Sequence, residues 1–328
     1  MSHGSGISAD RVPTTRPAGG APSGVNGDYD SVGGEKYHAQ RCARGVGLLE
    51  KSLRRAMAAG GLESFAQVNC LSLGAGTAAP QQALCQKWKE HGYTEFPTFH
   101  LSDYSDTQLR TAVSNLEPFD AVGQTWVLDL TKDDIPMEDA SVDFVDCTHV
   151  LHHLTHGDRY CERLAHVFSE TRRVLKPTGV FALTSMDPTN CRKSRWFTLA
   201  GSLSGMEYSL DPGRLYGAHC PRLDVVIGRL RDAGFLVTGM DLIRDEPLIE
   251  PELYFDPPTL LARVKAGDVA GSSFFVLARN SGVWEDWLEA VEGLIADGSI
   301  HRVVEESERW RKLVGQAYYL EASPELVM

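Results

Sequence analysis

Between residues 68 and 278 short apolar runs alternate with helix-like stretches, and this alternation constrains the fold more than any other feature of the chain. Runs of strand character occur at 68–73, 97–101, 124–128, 142–147 and 179–184, each followed by a polar turn or a helical pattern. Leu223 to Ala233 then reads as a helix, Gly234 to Met240 as a sixth strand and Ser272 to Ala278 as a seventh. Strands joined through helices imply right-handed crossovers, so the pattern predicts an α/β domain around a mostly parallel sheet. Helical spacing also precedes the first strand, from near Lys36 to about Ala59, with Val46, Leu49, Leu53 and Met57 on one stripe and Gly60-Gly61 as the stop.

The alternation is broken in two places and framed by two different ends. Residues 187–221 hold Gly201, Gly205, Gly213 and Gly217 among several aromatics, and residues 243–270 hold Pro247, Pro251, Pro257 and Pro258. Long interruptions inside a domain are usually lids or binding segments, so both are expected to be caps. Residues 1–34 are rich in Gly, Ser, Pro and Thr and are expected to be mobile, because they bury too little to offset their ordering entropy. The expected organisation is a flexible segment over 1–34, one domain over 35–280 containing the two caps, and a C-terminal helical extension over 281–328. Two amphipathic stripes mark that extension, Trp284, Trp287, Leu288, Val291, Leu294 and Ile295, then Trp310, Leu313, Val314 and Ala317. Such stripes need a covering surface, either in the same chain or in the second subunit of a homodimer.

Charge and cysteine use narrow the partners. A formal net charge of -12 repels phosphate backbones and anionic lipid, which disfavours nucleic acid and membrane surfaces. Arg41, Arg44, Lys51, Arg54 and Arg55 on the first helix read as a solvated face. No run approaches the roughly eighteen apolar residues of a membrane span, and no signal-peptide pattern opens the chain, so a cytoplasmic location is expected. Seven cysteines without a C-x-x-C fit reduced thiols rather than a disulfide framework.

The first strand, Val68 to Leu73, runs into Gly74-Ala75-Gly76-Thr77-Ala78-Ala79 and a helix. Glycines there permit a tight turn and close approach of backbone to a ligand, beside the free N–H groups of a helix start. The second strand ends at Asp103-Tyr104, where a carboxylate suits a ribose diol, and the third at Asp129-Leu130, beside the place for an adenine. The loop spells G-x-G-x-x-A, which a dinucleotide-binding dehydrogenase also shows, but no Tyr-x-x-x-Lys pair occurs anywhere in the chain.

The order of these motifs, followed by Thr148-His149-Val150-Leu151-His152-His153 after the fourth strand and Leu175-Lys176-Pro177 before the fifth, resembles the class I S-adenosylmethionine-dependent methyltransferase family. The resemblance spans roughly 35–280 outside the caps. It implies a Rossmann-like three-layer sandwich with a seven-stranded, mostly parallel sheet of order 3-2-1-4-5-7-6, S-adenosyl-L-methionine as cofactor and S-adenosyl-L-homocysteine as product. It implies that Gly74, Ala75 and Gly76 approach the methionine and ribose, that Asp103 and Tyr104 line the nucleoside, and that Asp129 and Leu130 frame the adenine. Thr148 and His149 follow beneath the sulfonium, and Tyr37, with Tyr29 before it, folds over the site as a lid. Two positions depart from the pattern: Ser72 stands where an acid is usual, and Ala78 where a third glycine is common.

His149, His152, His153 and His156 fall at i, i+3, i+4 and i+7, which puts four imidazoles on one face if the segment is helical. Three readings remain open: a transition-metal site, a polar helix face, and a base or hydrogen-bonding group facing the acceptor. The last is preferred on location, with no metal expected. His152 and His153 are therefore the expected catalytic residues, with Asp187 past the fifth strand as a further candidate and as an ordinary turn starter otherwise. Trp196, Met206, Tyr208 and Tyr254 in the caps, with Tyr29, are the expected contacts for a flat or apolar small molecule. A protein that binds S-adenosylmethionine without transferring its methyl group is the alternative function, with an NAD(P)-dependent dehydrogenase as the other.

Overall fold

The structure is a computed structural model and describes residues 46–155, 159–244, 251–267 and 273–325. Helix α1, Val46–Ala59, buries Leu49, Leu53 and Ala56 at helical spacing. It precedes β1 (Asn69–Leu73), α2 (Ala79–Glu90), β2 (Thr98–Asp103), α3 (Asp106–Leu116) and β3 (Val122–Val127). The second half begins with β4 (Val142–Thr148), the single-turn α4 (Leu151–Leu154), α5 (Tyr160–Val174) and β5 (Leu175–Ser185). All seven strands form one sheet in the order β3-β2-β1-β4-β5-β7-β6, where β6 is Phe235–Ile243 and β7 is Ala317–Pro324. Strands β1 to β5 pair parallel, while β7 runs antiparallel between β5 and β6.

The caps are helical rather than irregular. Residues 187–221 fold as α6 (Pro188–Lys193), α7 (Trp196–Leu203) and α8 (Pro212–Ala218), followed by α9 (Leu223–Asp232). The second interruption contributes α10 (Pro251–Tyr254) and α11 (Pro257–Lys265). Gly213 explains why the first cap tolerates so many glycines: a Cβ there would overlap the Thr198 carbonyl, so α7 and α8 approach closely only with glycine present.

The expected seventh strand at 272–278 is corrected. That segment is helix α12, Ser273–Asn280, and the last strand lies beyond α13 (Trp284–Ala296) and α14 (Ile300–Val314). A short apolar run such as Phe274 to Ala278 reads equally as buried strand or buried helix. β7 instead carries Glu321 at its centre, which hides its strand character in the sequence. Glu321 is buried, pairs with Arg55 and accepts from Ser52 on α1, so the charge is neutralised within the core. The segment after residue 280 therefore supplies a strand of the sheet, Ala317–Pro324, and is not only a helical extension.

Two cores flank the sheet. One holds Leu53, Trp88, Phe99 and Phe144 and continues into the cap through Trp196, Phe197, Phe274 and Trp287. The other packs α5 and α9 through Leu71, Val145, Phe168, Phe181, Phe235 and Leu320. The Trp287 stripe is covered by the same chain: its indole N–H donates to the Phe197 carbonyl at 3.1 Å, and its ring lies against Phe274 and Phe275. Of the basic residues on the first helix, Arg54 lies over Phe65 and pairs with Glu50, while Arg41 and Arg44 lie outside the described residues.

Candidate functional site

The carboxyl edge of β1 turns through a loop that only small residues can form. Gly74 and Gly76 have φ of 62° and 53°, in the left-handed region that disfavours a Cβ. A Cβ on Gly74 would also overlap the side chain of Val150, the residue before α4. The loop is pinned by Ala75 N–H donating to the Ser102 carbonyl at 2.9 Å and Ala78 N–H to the Ala75 carbonyl at 2.9 Å. Ala78 caps α2 with φ 54°, so the position of the missing third glycine keeps a left-handed backbone while its methyl is fully buried.

Asp103 closes this loop from β2. One carboxylate oxygen accepts the Gly76 N–H at 2.8 Å and the other the Ser105 N–H at 2.9 Å. Asp129 lies past the end of β3, where Thr131 N–H and hydroxyl both bond one of its oxygens and Lys132 sits 3.3 Å from the other. Burial alone would raise its pKa, yet these partners hold it below the ordinary carboxylate value. Leu130 beside it is buried.

The acid absent from position 72 is present one strand over. Ser72 and Asp146 are register partners on β1 and β4, and the Ser72 hydroxyl donates to Asp146 Oδ2 at 2.6 Å. Gln81, in the first turn of α2, donates to Asp146 Oδ1 at 2.9 Å and to Ser72 Oγ at 3.0 Å. Burial pushes the Asp146 carboxyl up to about 6, against the lowering effect of those two hydrogen bonds. Gln81 Oε1 is a buried acceptor without a partner. Left-handed glycines, the Asp103 carboxylate and an open acceptor behind the loop fit an adenosyl ligand whose amino-acid tail carries an ammonium group.

β4 leads from this network to the histidines. The chain bends sharply after Thr148: His149 has φ 57° and donates its N–H to the Thr184 carbonyl of β5 at 2.8 Å. A left-handed non-glycine residue at a strand end is a costly conformation that clusters at functional sites. His152 and His153 on α4 place their ring centroids 4.0 Å apart, and His152 meets the Tyr216 ring of α8 edge-on at 5.9 Å. The cap is tied to the same turn by Thr155, whose hydroxyl donates to the His219 carbonyl. His156 lies outside the described residues, and among those described no group of three or more His, Cys, Asp or Glu is placed to hold a metal ion.

The other expected site residues scatter. Asp187 caps α6, accepting from Thr189 N–H and Asn190 N–H, so its carboxylate serves the turn. Trp196 is fully buried and its indole N–H donates to the Tyr254 carbonyl at 2.9 Å; the Tyr254 hydroxyl lies 3.2 Å from Ser307 Oγ. Both pack the cap down. Met206 packs half-buried beside α7, whereas Tyr208 is 66 % exposed under the Arg214 guanidinium. Tyr29 and Tyr37 lie outside the described residues. Sequence reading missed Asp146 and Gln81 as site residues; a carboxylate inside the apolar run of β4 was the visible signal.

Residues 71–183 match the profile described as a methyltransferase domain. No curated protein matches the sequence. Among solved structures the chain is similar to a Galdieria sulphuraria protein described as a sarcosine dimethylglycine methyltransferase, at 17% identity, TM-score 0.48, covering 86% of each chain. It is also similar to the [4+2]-cyclase SpnF, at 14% identity, TM-score 0.44 and coverage of 85% and 82%. A third is geranyl diphosphate C-methyltransferase from Streptomyces coelicolor A3(2), at 13% identity, TM-score 0.41 and coverage of 84% and 79%. The sheet order and the matched domain define a class I S-adenosylmethionine-dependent methyltransferase fold. Residues 71–183 thus carry a methyltransferase domain on that fold.

Proposed function

We propose that this protein methylates a small molecule held between the carboxyl edge of the sheet and the cap helices α6 to α8. The observation that carries the reading is the contact of His152, on the turn after β4, with Tyr216 of the cap, because it brings a proton-accepting group and an aromatic wall together beside the cofactor loop. A sulfonium-bound methyl supplies an activated carbon, and the protein's part is alignment and exclusion of water. Asp103 accepts the ribose hydroxyls while Gly74, Ala75 and Gly76 bring backbone close to the amino-acid tail. Asp129 and Leu130 border the adenine, with Tyr104 along the nucleoside and Thr148 and His149 nearest the methyl. Asp146, reached through Gln81, provides the negative charge that position 72 lacks.

His152 and His153 orient the acceptor or take its proton; a base is required only where the nucleophile is protonated at working pH. The compact α4 turn places both imidazoles on one short element tied to the cap, so acceptor binding and cap position are linked. Titration calorimetry with S-adenosylmethionine, S-adenosylhomocysteine and NADPH tests the cofactor, and His153→Ala tests the histidines. Binding of the adenosyl ligands with intact affinity in His153→Ala, and slowed methyl transfer, is the expected result. Binding of NADPH alone, or loss of S-adenosylhomocysteine affinity in His153→Ala, refutes the corresponding part.

A further inference from the structure

Arg195 is buried at 2 % exposure in the turn between α6 and α7, yet no carboxylate pairs with it among the described residues. Its Nη2 donates to Met186 Sδ at 2.9 Å and to the Gln316 carbonyl at 3.2 Å, both uncharged partners. Its Nε is a buried donor with no acceptor. Gln316, 3 % exposed and in contact with it through that carbonyl, has a buried Nε2 donor that also lacks an acceptor. Asp187, the acid closest along the chain, is committed to capping α6. A buried guanidinium without a counter-charge is strongly disfavoured, so a ligand that brings the opposite charge would relieve it.

The position gives the charge a use. Met186 continues β5 directly, two residues beyond Thr184, whose carbonyl holds His149 at the bend below the histidines. Gln316 immediately precedes β7, which pairs with β5 at Ser185. The two open donors therefore sit at the carboxyl edge of the sheet, under the cap helices that also carry Tyr216.

We infer that Arg195, with Gln316, forms an anion subsite that receives a carboxylate of the acceptor molecule. The two open N–H donors, Arg195 Nε and Gln316 Nε2, suit the two oxygens of a carboxylate, and one negative charge balances the one buried positive charge. A phosphate dianion would leave an excess negative charge in the same apolar surroundings. The identification of the ligand as the acceptor rests on the proposed methyl-transfer reading; the existence of the subsite does not. Because the donors are enclosed, the anion enters only when the cap helices part from the sheet edge.

Acetate is the probe, being the smallest carboxylate of this type, with acetamide as its neutral counterpart and inorganic phosphate as the competing oxyanion. Thermal unfolding of the full chain saturated with S-adenosylhomocysteine is followed at constant ionic strength. Acetate is expected to raise the wild-type midpoint in a saturable way, acetamide to leave it unchanged and phosphate to act more weakly. Arg195→Met is expected to weaken acetate binding about tenfold or more, the effect of losing a charged hydrogen-bond partner. Its midpoint without acetate is expected to equal or exceed the wild-type value, since removing an uncompensated buried charge relieves strain. Arg195→Lys keeps the charge but not the Nε donor and is expected to retain a reduced acetate response.

No acetate-specific shift in the wild type overturns the subsite, a result independent of whether any variant folds. An equal acetate shift in Arg195→Met, or a lowered midpoint with no acetate response in the wild type, assigns Arg195 a packing role instead. Phosphate binding tighter than acetate overturns the carboxylate class. Failure of the wild type to bind S-adenosylhomocysteine at all counts against the methyltransferase reading and leaves the acetate result standing by itself.

Discussion

Replacing Asp146 with asparagine separates what the buried carboxylate does for stability from what it does for the cofactor. Burial holds its pKa at about 6, against 3.8 for the ordinary side chain. The folded protein therefore keeps the proton over a pH window in which the unfolded chain has released it. Between about pH 4 and pH 6 the unfolded state binds fewer protons, so stability falls as pH rises; the contribution is complete below pH 4 and lost above pH 6. Two units at ~1.4 kcal/mol each amount to about 3 kcal/mol, a large share of a domain's total stability. Asparagine reproduces the protonated form: its Oδ1 still accepts from Gln81, and its Nδ2 can donate to Ser72 Oγ. Asp146→Asn is thus expected to match wild type near pH 4 and to exceed it by up to about 3 kcal/mol at pH 7.5. Urea unfolding at both pH values measures this. A variant less stable than wild type at pH 7.5, or a difference independent of pH, refutes the argument from burial. The same variant is expected to bind S-adenosylhomocysteine more weakly at pH 7.5, because the more stable network no longer offers a charge to the ammonium. Unchanged affinity removes Asp146 from the cofactor site.

Gly74→Ala is expected to cost about 1–2 kcal/mol for the left-handed backbone and about 1–3 kcal/mol for the overlap with Val150. A double-mutant cycle with Val150→Ala recovers part of the second term by urea unfolding; strict additivity would show that the two side chains do not compete for space. Asp103→Ala is expected to weaken S-adenosylhomocysteine binding by about 1–3 kcal/mol in calorimetry, and wild-type affinity would remove its ribose role. A chain ended at residue 280 loses β7 from between β5 and β6 and is expected to lose cooperative unfolding; a cooperative melt would show that β5 and β6 hold without it.

The sequence by itself determined the class of fold and the glycine loop at the edge of its sheet. Strand-loop-helix punctuation at Gly74-Ala75-Gly76, acids at the ends of β2 and β3, and helix-period stripes are local signals, each set by backbone conformation or by which side of one element is apolar. Gly74 and Asp103 consequently lie where a sequence reading puts them. Position 72 shows the limit: the serine was legible as a departure, but its compensation by Asp146 depends on the register of β1 against β4, separated by more than seventy residues of chain. The seventh strand shows another, because Phe274 to Ala278 carries the stronger apolar run and yet forms a helix. The slot between β5 and β6 goes to Ala317–Pro324, which fits because Arg55 and Ser52 on α1 satisfy its buried Glu321. Arg195 was unremarkable in the sequence, one arginine among several. Only packing of α6, α7 and β7 removed it from water without giving it a counter-charge, and burial of a charge is decided by tertiary structure, not by any local pattern.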